Sequence, residues 1–376
     1  MDYSNTTTNM HSFANSTAYN NTGVVNCSND TRGSWPQPPS PTHELVFVCI
    51  GQLVAGIGLL ANFLVIYIIA RYPAMRTVPN VFVLNLAAAD ALYCCVTPLY
   101  TVYALHVDWI LGNAMCNVYF IMEYVSAFCS VWFLTALSIE RYKAVTDPIG
   151  HSQKISQKKA WVASVVVWFF GLVAASPTLV FVKTAVHAFS CESGGKIHHV
   201  TQCDVLAPEG IPEELLNKLR GMYGFTITFV VPLCIIIPLY VIIWRKLREK
   251  KPSTLSMHLI RSRNRVTRMV AAVVVFFVIA LLPWHTYWIL QYFSLIQNVP
   301  HGLYDACLAL YVANSAVNPF FYALMGDKFR RYINIVFCRW RLCRNNTRQK
   351  RRVRKEFNIQ FGSPQSETVV PHDTRL

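Results

Sequence analysis

An all-α membrane protein, built as a bundle of seven spanning helices, is the fold class this sequence predicts, and three observations predict it. Apolar residues make up 53% of the 376 and charged ones 14%, where soluble proteins carry about 25%. Seven runs each exceed the roughly 20 apolar residues needed to cross about 30 Å of hydrocarbon. Lys and Arg crowd the segments that would lie on one side of those runs. Mean hydropathy is +0.33. A disordered chain, a collagen, a long coiled coil and a small disulfide scaffold are excluded. The net charge of +15 sits in loops and tail, so it reads as membrane topology and no nucleic-acid partner is expected.

Residues 1–43 are polar, rich in Asn, Ser, Thr and Pro, and lack an apolar core of the signal-peptide kind. Five N-x-S/T sequons fall there, at Asn5, Asn15, Asn20, Asn26 and Asn29, which points to a flexible, extracellular, glycosylated segment. A spanning domain over residues 44–337 follows. Its runs are Leu45–Ala70, Val78–Val107 with the single charge Asp90, Met115–Ile139 with the single charge Glu123, Ala160–Val182, Gly221–Trp244, Met269–Val299 and Ala306–Gly326. Lys250–Ser262 reads as a short inner loop, and residues 338–376 as a basic cytoplasmic tail that can meet anionic lipid.

With the N-terminus outside, the outer segments hold Arg32, Lys183, Lys196, Lys218 and Arg220, and the other 29 of 34 basic residues lie inside. The outer segments also hold ten acids, so the exterior is net −5, a field that draws cations toward the mouth. A multi-pass plasma-membrane protein is expected.

Ionisable groups in a bilayer cost about 2.5 to 3.5 kcal/mol on insertion scales and need a reason. Asp90 lies mid-helix, with Ser130, Asn314, Ser315 and Asn318 deep in the third and seventh runs and Asn62 in the first. Carboxylate, hydroxyl and amide oxygens suit a hard cation, and Na⁺ is the monovalent choice. A buried hydrogen-bond network that packs the helices is the plainer alternative. Glu123 lies about two turns inside the outer end of the third run, with no Lys or Arg neighbour within the runs. It reads as a counter-ion for a ligand cation or, alternatively, as a protonated acid bonded to another helix. Pro98, Pro177, Pro232, Pro283 and Pro319 each fall within a run and are expected to kink it.

Cys116 opens the third run, and Cys191 and Cys203 flank Gly194-Gly195 in a loop whose alternation suggests a hairpin. Cys116–Cys203 is the expected disulfide, holding the loop over the mouth, with Cys191 a partner for Cys27. No Cys/His spacing fits zinc, and no catalytic motif is present, so enzyme activity is not expected.

From Leu45 to about Cys343 the chain resembles the rhodopsin-like (class A) G-protein-coupled receptors. The matching residues are Gly58-x-x-x-Asn62, Leu86-Ala87-Ala88-Ala89-Asp90, Trp109, Cys116, Glu140-Arg141-Tyr142, Trp168, Pro232 with Tyr240, Pro283, Asn318-Pro319-x-x-Tyr322 and Phe329-Arg330-Arg331. Arg265-Val266-Thr267-Arg268-Met269-Val270 and Thr97-Pro98 are similar to the somatostatin and opioid branch and to allatostatin-C receptors. The resemblance implies a short amphipathic eighth helix, and a bundle that signals by outward movement of the sixth helix. In it Arg141 meets a heterotrimeric G protein, Thr267 bonds Arg141, and Tyr240 and Tyr322 hold the open state. Glu140, Tyr142, Asn318 and Pro319 belong to the same machinery. It implies an allosteric sodium pocket at Asp90, Ser130, Asn314, Ser315 and Asn318. It also implies a ligand pocket of Glu123, Trp284, His285 and Trp288, with Tyr100 and Tyr103 opposite. Glu123 stands where the branch has Asp, Glu140 where the family usually has Asp, Ala61 where it has Gly, and Leu281 where it has a tryptophan that couples ligand to helix movement.

A glycosylated N-terminus, a hairpin loop and an acidic mouth suit a basic neuropeptide, with a faint preference for Gi/o coupling. A small cationic amine is the alternative, although the fifth run offers Thr226 and Thr228 where serines would be wanted. A non-signalling or constitutively active membrane protein is the reading from another class. No lysine stands in the seventh run for retinal. In the tail, Cys338 and Cys343 are candidates for palmitoylation. Ser363, Ser366 and Thr368 are candidates for receptor kinases and arrestin, and Thr374 with Leu376 for a PDZ domain.

Overall fold

The computed structural model describes residues 24–26, 43–106, 109–147, 156–190, 197–208, 210–248, 257–293, 295 and 301–338. Seven helical spans are long and apolar enough to cross a membrane: Val46–Arg71, Val78–Leu99, Gly112–Thr146, Gln157–Phe181, Glu213–Arg248, Asn264–Tyr292 and Leu303–Leu324. Each satisfies its own backbone, as a chain in hydrocarbon must. Their outward faces are apolar, with Leu60 and Leu324 each 73% exposed, which only a lipid solvent would tolerate over so wide a surface.

The third helix, Gly112–Thr146, is the axis of the bundle. Val125, Cys129, Phe133, Leu137 and Arg141 recur every fourth residue and are all buried, one continuous inward stripe. Close approach is built in at the first helix. A side chain at Gly58 would stand 2.8 Å from the Ala316 Cβ, so the first and seventh helices meet there backbone to side chain.

Pro98, Pro283 and Pro319 sit inside continuous helices, and so does Pro238, which the sequence reading left out. Pro177 does something else. The fourth helix, Gln157–Ala175, stops before it, and a short turn Thr178–Phe181 follows, so this proline ends the helix instead of kinking it. Ahead of Pro232 the chain forms a π-helical stretch, Thr226–Val230. Its Ile227 carbonyl accepts a hydrogen bond from Trp132 Nε1 at 3.2 Å.

Two expected boundaries move. The sixth helix starts at Met257 and takes up the last six residues of the stretch read as an inner loop. Charged residues there do not stop a helix that has left the hydrocarbon. The fifth span starts at Glu213, eight residues before the expected start, so Lys218 and Arg220 belong to a spanning helix and not to the outer loop.

The outer loop is the expected hairpin. Strand β2, Val182–Ser190, pairs antiparallel with β3, Ile197–Val205, in a register running from Val182 opposite Val205 to Ser190 opposite Ile197. The N-terminal segment departs from its expected irregularity. Val24–Asn26 forms strand β1, parallel to β2, with Asn26 opposite Ser190. The other sequons, and Cys27 and Cys191, lie outside the described residues.

A separate unit, Asp327–Leu376, contains a helix over residues 327–338, the eighth. Phe329 is buried, while Arg330, Arg331, Ile335 and Phe337 are exposed, and Arg330 pairs with Asp327 at 3.2 Å. Cys338 ends it as an exposed free thiol. Cys343, Ser363, Ser366, Thr368, Thr374 and Leu376 lie outside the described residues.

Candidate functional site

Three polar centres lie along the bundle axis, and the deepest is built on Asp90. Its carboxylate is fully buried. Ser130 donates its hydroxyl to Oδ1 at 2.9 Å, Asn318 donates Nδ2 to Oδ2 at 2.8 Å, and the Ser315 hydroxyl also reaches the carboxylate. Asn62 donates Nδ2 to the carbonyls of Gly58 and Ser315, both at 2.9 Å, and so ties the first helix to the seventh. A cavity beside it is lined by Ser130, Asn314 and Ser315 together with Leu281 and Tyr311. Leu281, at the position where the resemblance expects a tryptophan, thus lines the same cavity as three of the polar residues. The oxygens fit a hard monovalent cation. Asn318 Oδ1 and Asn62 Oδ1 are buried and meet no donor among the described residues, and the three donors leave the carboxylate a fourth lone-pair site. The described residues hold no cluster of His, Cys, Asp and Glu of the kind that binds transition metals.

The mouth is the second centre. Cys116 and Cys203 form a disulfide with Cα atoms 5.6 Å apart. The Trp109 amide donates to Thr201 O at 2.8 Å and the Thr184 amide to Asn113 Oδ1 at 3.0 Å, so the hairpin is pinned at three points to the outer end of the third helix and the loop before it. Buried Trp109, Cys116 and Val182 pack together behind these bonds.

Glu123 lies seven residues below Cys116, about 10 Å along the helix. Its carboxylate accepts no hydrogen bond among the described residues, although its backbone carbonyl accepts one from Ser126. Tyr93 and Tyr311 meet edge to face at 5.4 Å, both within electrostatic reach of Glu123. Trp284 continues this wall, 5.0 Å from Tyr311, 6.0 Å from Tyr304 and 5.7 Å from Trp288. His285 turns instead toward the fifth helix, 5.5 Å from Phe225 and 5.1 Å from Phe229, and its buried Nε2 has no partner among the described residues. Tyr100 and Tyr103 are on the second helix, with side chains outside the described residues.

One expectation about Glu123 is overturned. A cation does lie near it within the spans: Arg220 of the fifth helix acts on it electrostatically. Arg220 donates to the Tyr292 hydroxyl at 3.3 Å and also reaches the Tyr124 hydroxyl. The sequence held a sign of this helical start. Pro212 precedes Glu213 and Glu214, and Lys218 pairs with Glu214 at 2.5 Å, one turn away. Hydropathy alone placed the boundary too late.

The inner face is the third centre. Glu140 and Arg141 are both buried and form an ion pair with each other. Tyr142 follows, half-buried. Thr267 is buried on the sixth helix. The Tyr240 hydroxyl is buried beside Ser138 and within reach of the Arg141 charge. Tyr322, three residues after Pro319, is fully buried. Trp168 Nε1 donates to Asn85 Oδ1 at 2.9 Å, and Asn85 donates to Ser164 at 3.2 Å, fastening the second helix to the fourth.

Residues 61–322 match the family described as 7 transmembrane receptor (rhodopsin family). The chain is similar to somatostatin receptor type 2 of Mus musculus, 31% identical over 320 residues, covering 84% of this chain and 82% of that one. It is similar to neuropeptides B/W receptor type 1 of Mus musculus, 32% identical over 310 residues, covering 80% and 89%. It is 33% identical over 306 residues to somatostatin receptor type 5 of Rattus norvegicus, covering 80% of each. With seven spans, a mouth closed by a tethered hairpin and a buried acid–arginine pair at the inner end, the chain belongs to the rhodopsin family of seven-transmembrane receptors, which are signalling receptors and not enzymes.

Proposed function

We propose that this receptor binds an extracellular peptide carrying a basic group and passes the signal to a heterotrimeric G protein. The observation that carries the reading is Glu123: a carboxylate with no hydrogen-bond donor of its own, walled by Tyr93, Tyr311 and Trp284, beneath a pinned hairpin. A desolvated carboxylate of this kind gains most from an incoming cation. Relatives named as somatostatin and neuropeptides B/W receptors favour a peptide over a small amine. The ligand favours the state with an open inner face by binding it more tightly. Arg141, freed from Glu140, receives the G protein as the sixth helix moves out, with Tyr240 and Tyr322 holding the open state. Coupling of the Gi/o type is the preferred form.

Asp90, Ser130, Asn314, Ser315 and Asn318 would hold a sodium ion, which supplies a positive charge that favours the closed bundle. The N-terminus faces outside and carries glycans. Cys338 and Cys343 take palmitate, the tail hydroxyls recruit receptor kinases and arrestin, and Thr374 with Leu376 engages a PDZ domain. The test is G-protein activation in cells expressing the chain or Glu123→Gln, challenged with fractionated basic peptides. Activation lost in the variant at equal surface expression supports the reading; equal activation in both removes the counter-ion role.

A further inference from the structure

Arg220 is a second charged group in the mouth, and the sodium pocket, the counter-ion and the inner face leave it without a role. Its position is built with care. Tyr292 lies so close to Gly221 that a side chain there would stand 2.2 Å from the ring, so only glycine lets the ring lie this close to the fifth helix. Trp288 stacks on Tyr292 at 5.4 Å. The fixed hydroxyl of Tyr292 then takes one guanidinium nitrogen at 3.3 Å. Tyr124 lies against the same group. Arg220 Nε is sealed from solvent and hydrogen-bonds nothing among the described residues. Asp204 and Glu123 lie within electrostatic reach, yet neither forms an ion pair with it. Asp204 instead accepts from its own neighbour, the Val205 amide, at 2.6 Å.

A guanidinium held by two phenols, with spare donors and no carboxylate in contact, is an unfilled half of a fork. A carboxylate fits a guanidinium fork bidentately, and such charge-assisted bonds are about twice as strong as neutral ones. From the pinned fork of Arg220, with Glu123 near but unpaired, we infer that the mouth contains an anion subsite. It takes a carboxylate of the ligand, either an acidic side chain or a free C-terminus, while Glu123 takes the cation. The ligand is thus a mixed-charge peptide and not a purely basic one. This rests on the peptide reading above, and it adds the acid.

The test uses the purified full chain in detergent and reads the thermal unfolding midpoint, which rises with any ligand that binds only the folded state. Three probes are compared: acetyl-Lys-amide, acetyl-Glu-amide, and the dipeptide Lys–Glu blocked at both ends. The dipeptide should bind at least tenfold more tightly than acetyl-Lys-amide. Arg220→Gln should erase that advantage and leave the response to acetyl-Lys-amide intact. Arg220→Lys, which keeps the charge without the fork, should retain part of it. Glu-containing probes that add nothing to the wild-type chain overturn the anion subsite, as does an Arg220→Gln variant that weakens all three probes alike. A Glu123→Gln variant that still responds to acetyl-Lys-amide removes the counter-ion reading instead, and leaves the Arg220 result to be judged by itself.

Discussion

Asp90 and Glu123 are two carboxylates inside one bundle, and their surroundings have opposite designs. Asp90 accepts bonds from Ser130, Asn318 and Ser315, and is closed off from solvent. Glu123 accepts none among the described residues and stands in an aromatic wall at the mouth. A buried polar group that is satisfied contributes to one fixed packing, and one left unsatisfied costs free energy until a partner arrives. The receptor's own donors therefore meet the carboxylate of Asp90. Among the described residues none of them meets that of Glu123, which the proposed function assigns to a cation of the ligand.

Substitutions at each level test that division. The largest effect should come from the covalent tie. Cys203→Ser opens a loop spanning 87 positions and should cost about 4 kcal/mol of stability, seen as a fall in surface expression and thermal midpoint. Next is Glu123→Gln, which should cost about 3 kcal/mol of agonist binding and leave the thermal midpoint of the free receptor unchanged. A large loss of midpoint would show that Glu123 is structural after all and collapse the contrast. Asp90→Ala should do the reverse, stranding the donors of Ser130 and Asn318 at about 2 kcal/mol of stability. It should also abolish any difference in agonist affinity between sodium and choline buffers. The smallest effect should follow Trp168→Phe, which removes one hydrogen bond to Asn85 and about 1 kcal/mol of thermal stability without touching agonist potency.

The inner design was legible in the sequence because its cost is. An acid in a spanning run must be satisfied, and Ser130, Ser315 and Asn318 were the polar residues at its depth. The hairpin was legible through alternation around two glycines, and the disulfide as one pairing of the four outer cysteines, Cys27, Cys116, Cys191 and Cys203. Arg220 was not, because hydropathy marks where a helix enters hydrocarbon and not where it begins. The helix from Glu213 is amphipathic and starts in water. The same blindness hid the polar start of the sixth helix at Met257. Strand β1 escaped for another reason. Val24–Asn26 is only three residues long, too short for an alternating pattern to mark it as a strand.

The contact between Gly221 and Tyr292 also sets a length. With the Tyr292 ring of the sixth helix seated on Gly221 of the fifth, the sixth can turn about that point as a lever arm. From Tyr292 to Thr267 a straight helix measures about 38 Å, so each degree of tilt carries the inner end about 0.7 Å. A hinge at Pro283 shortens the arm to about 24 Å and the travel to about 0.4 Å per degree. For the same angle, a pivot at the glycine opens the inner face over half as far again. A bulkier residue at position 221 would wedge the fulcrum apart, and the inner end would register the change at a distance of seven helical turns.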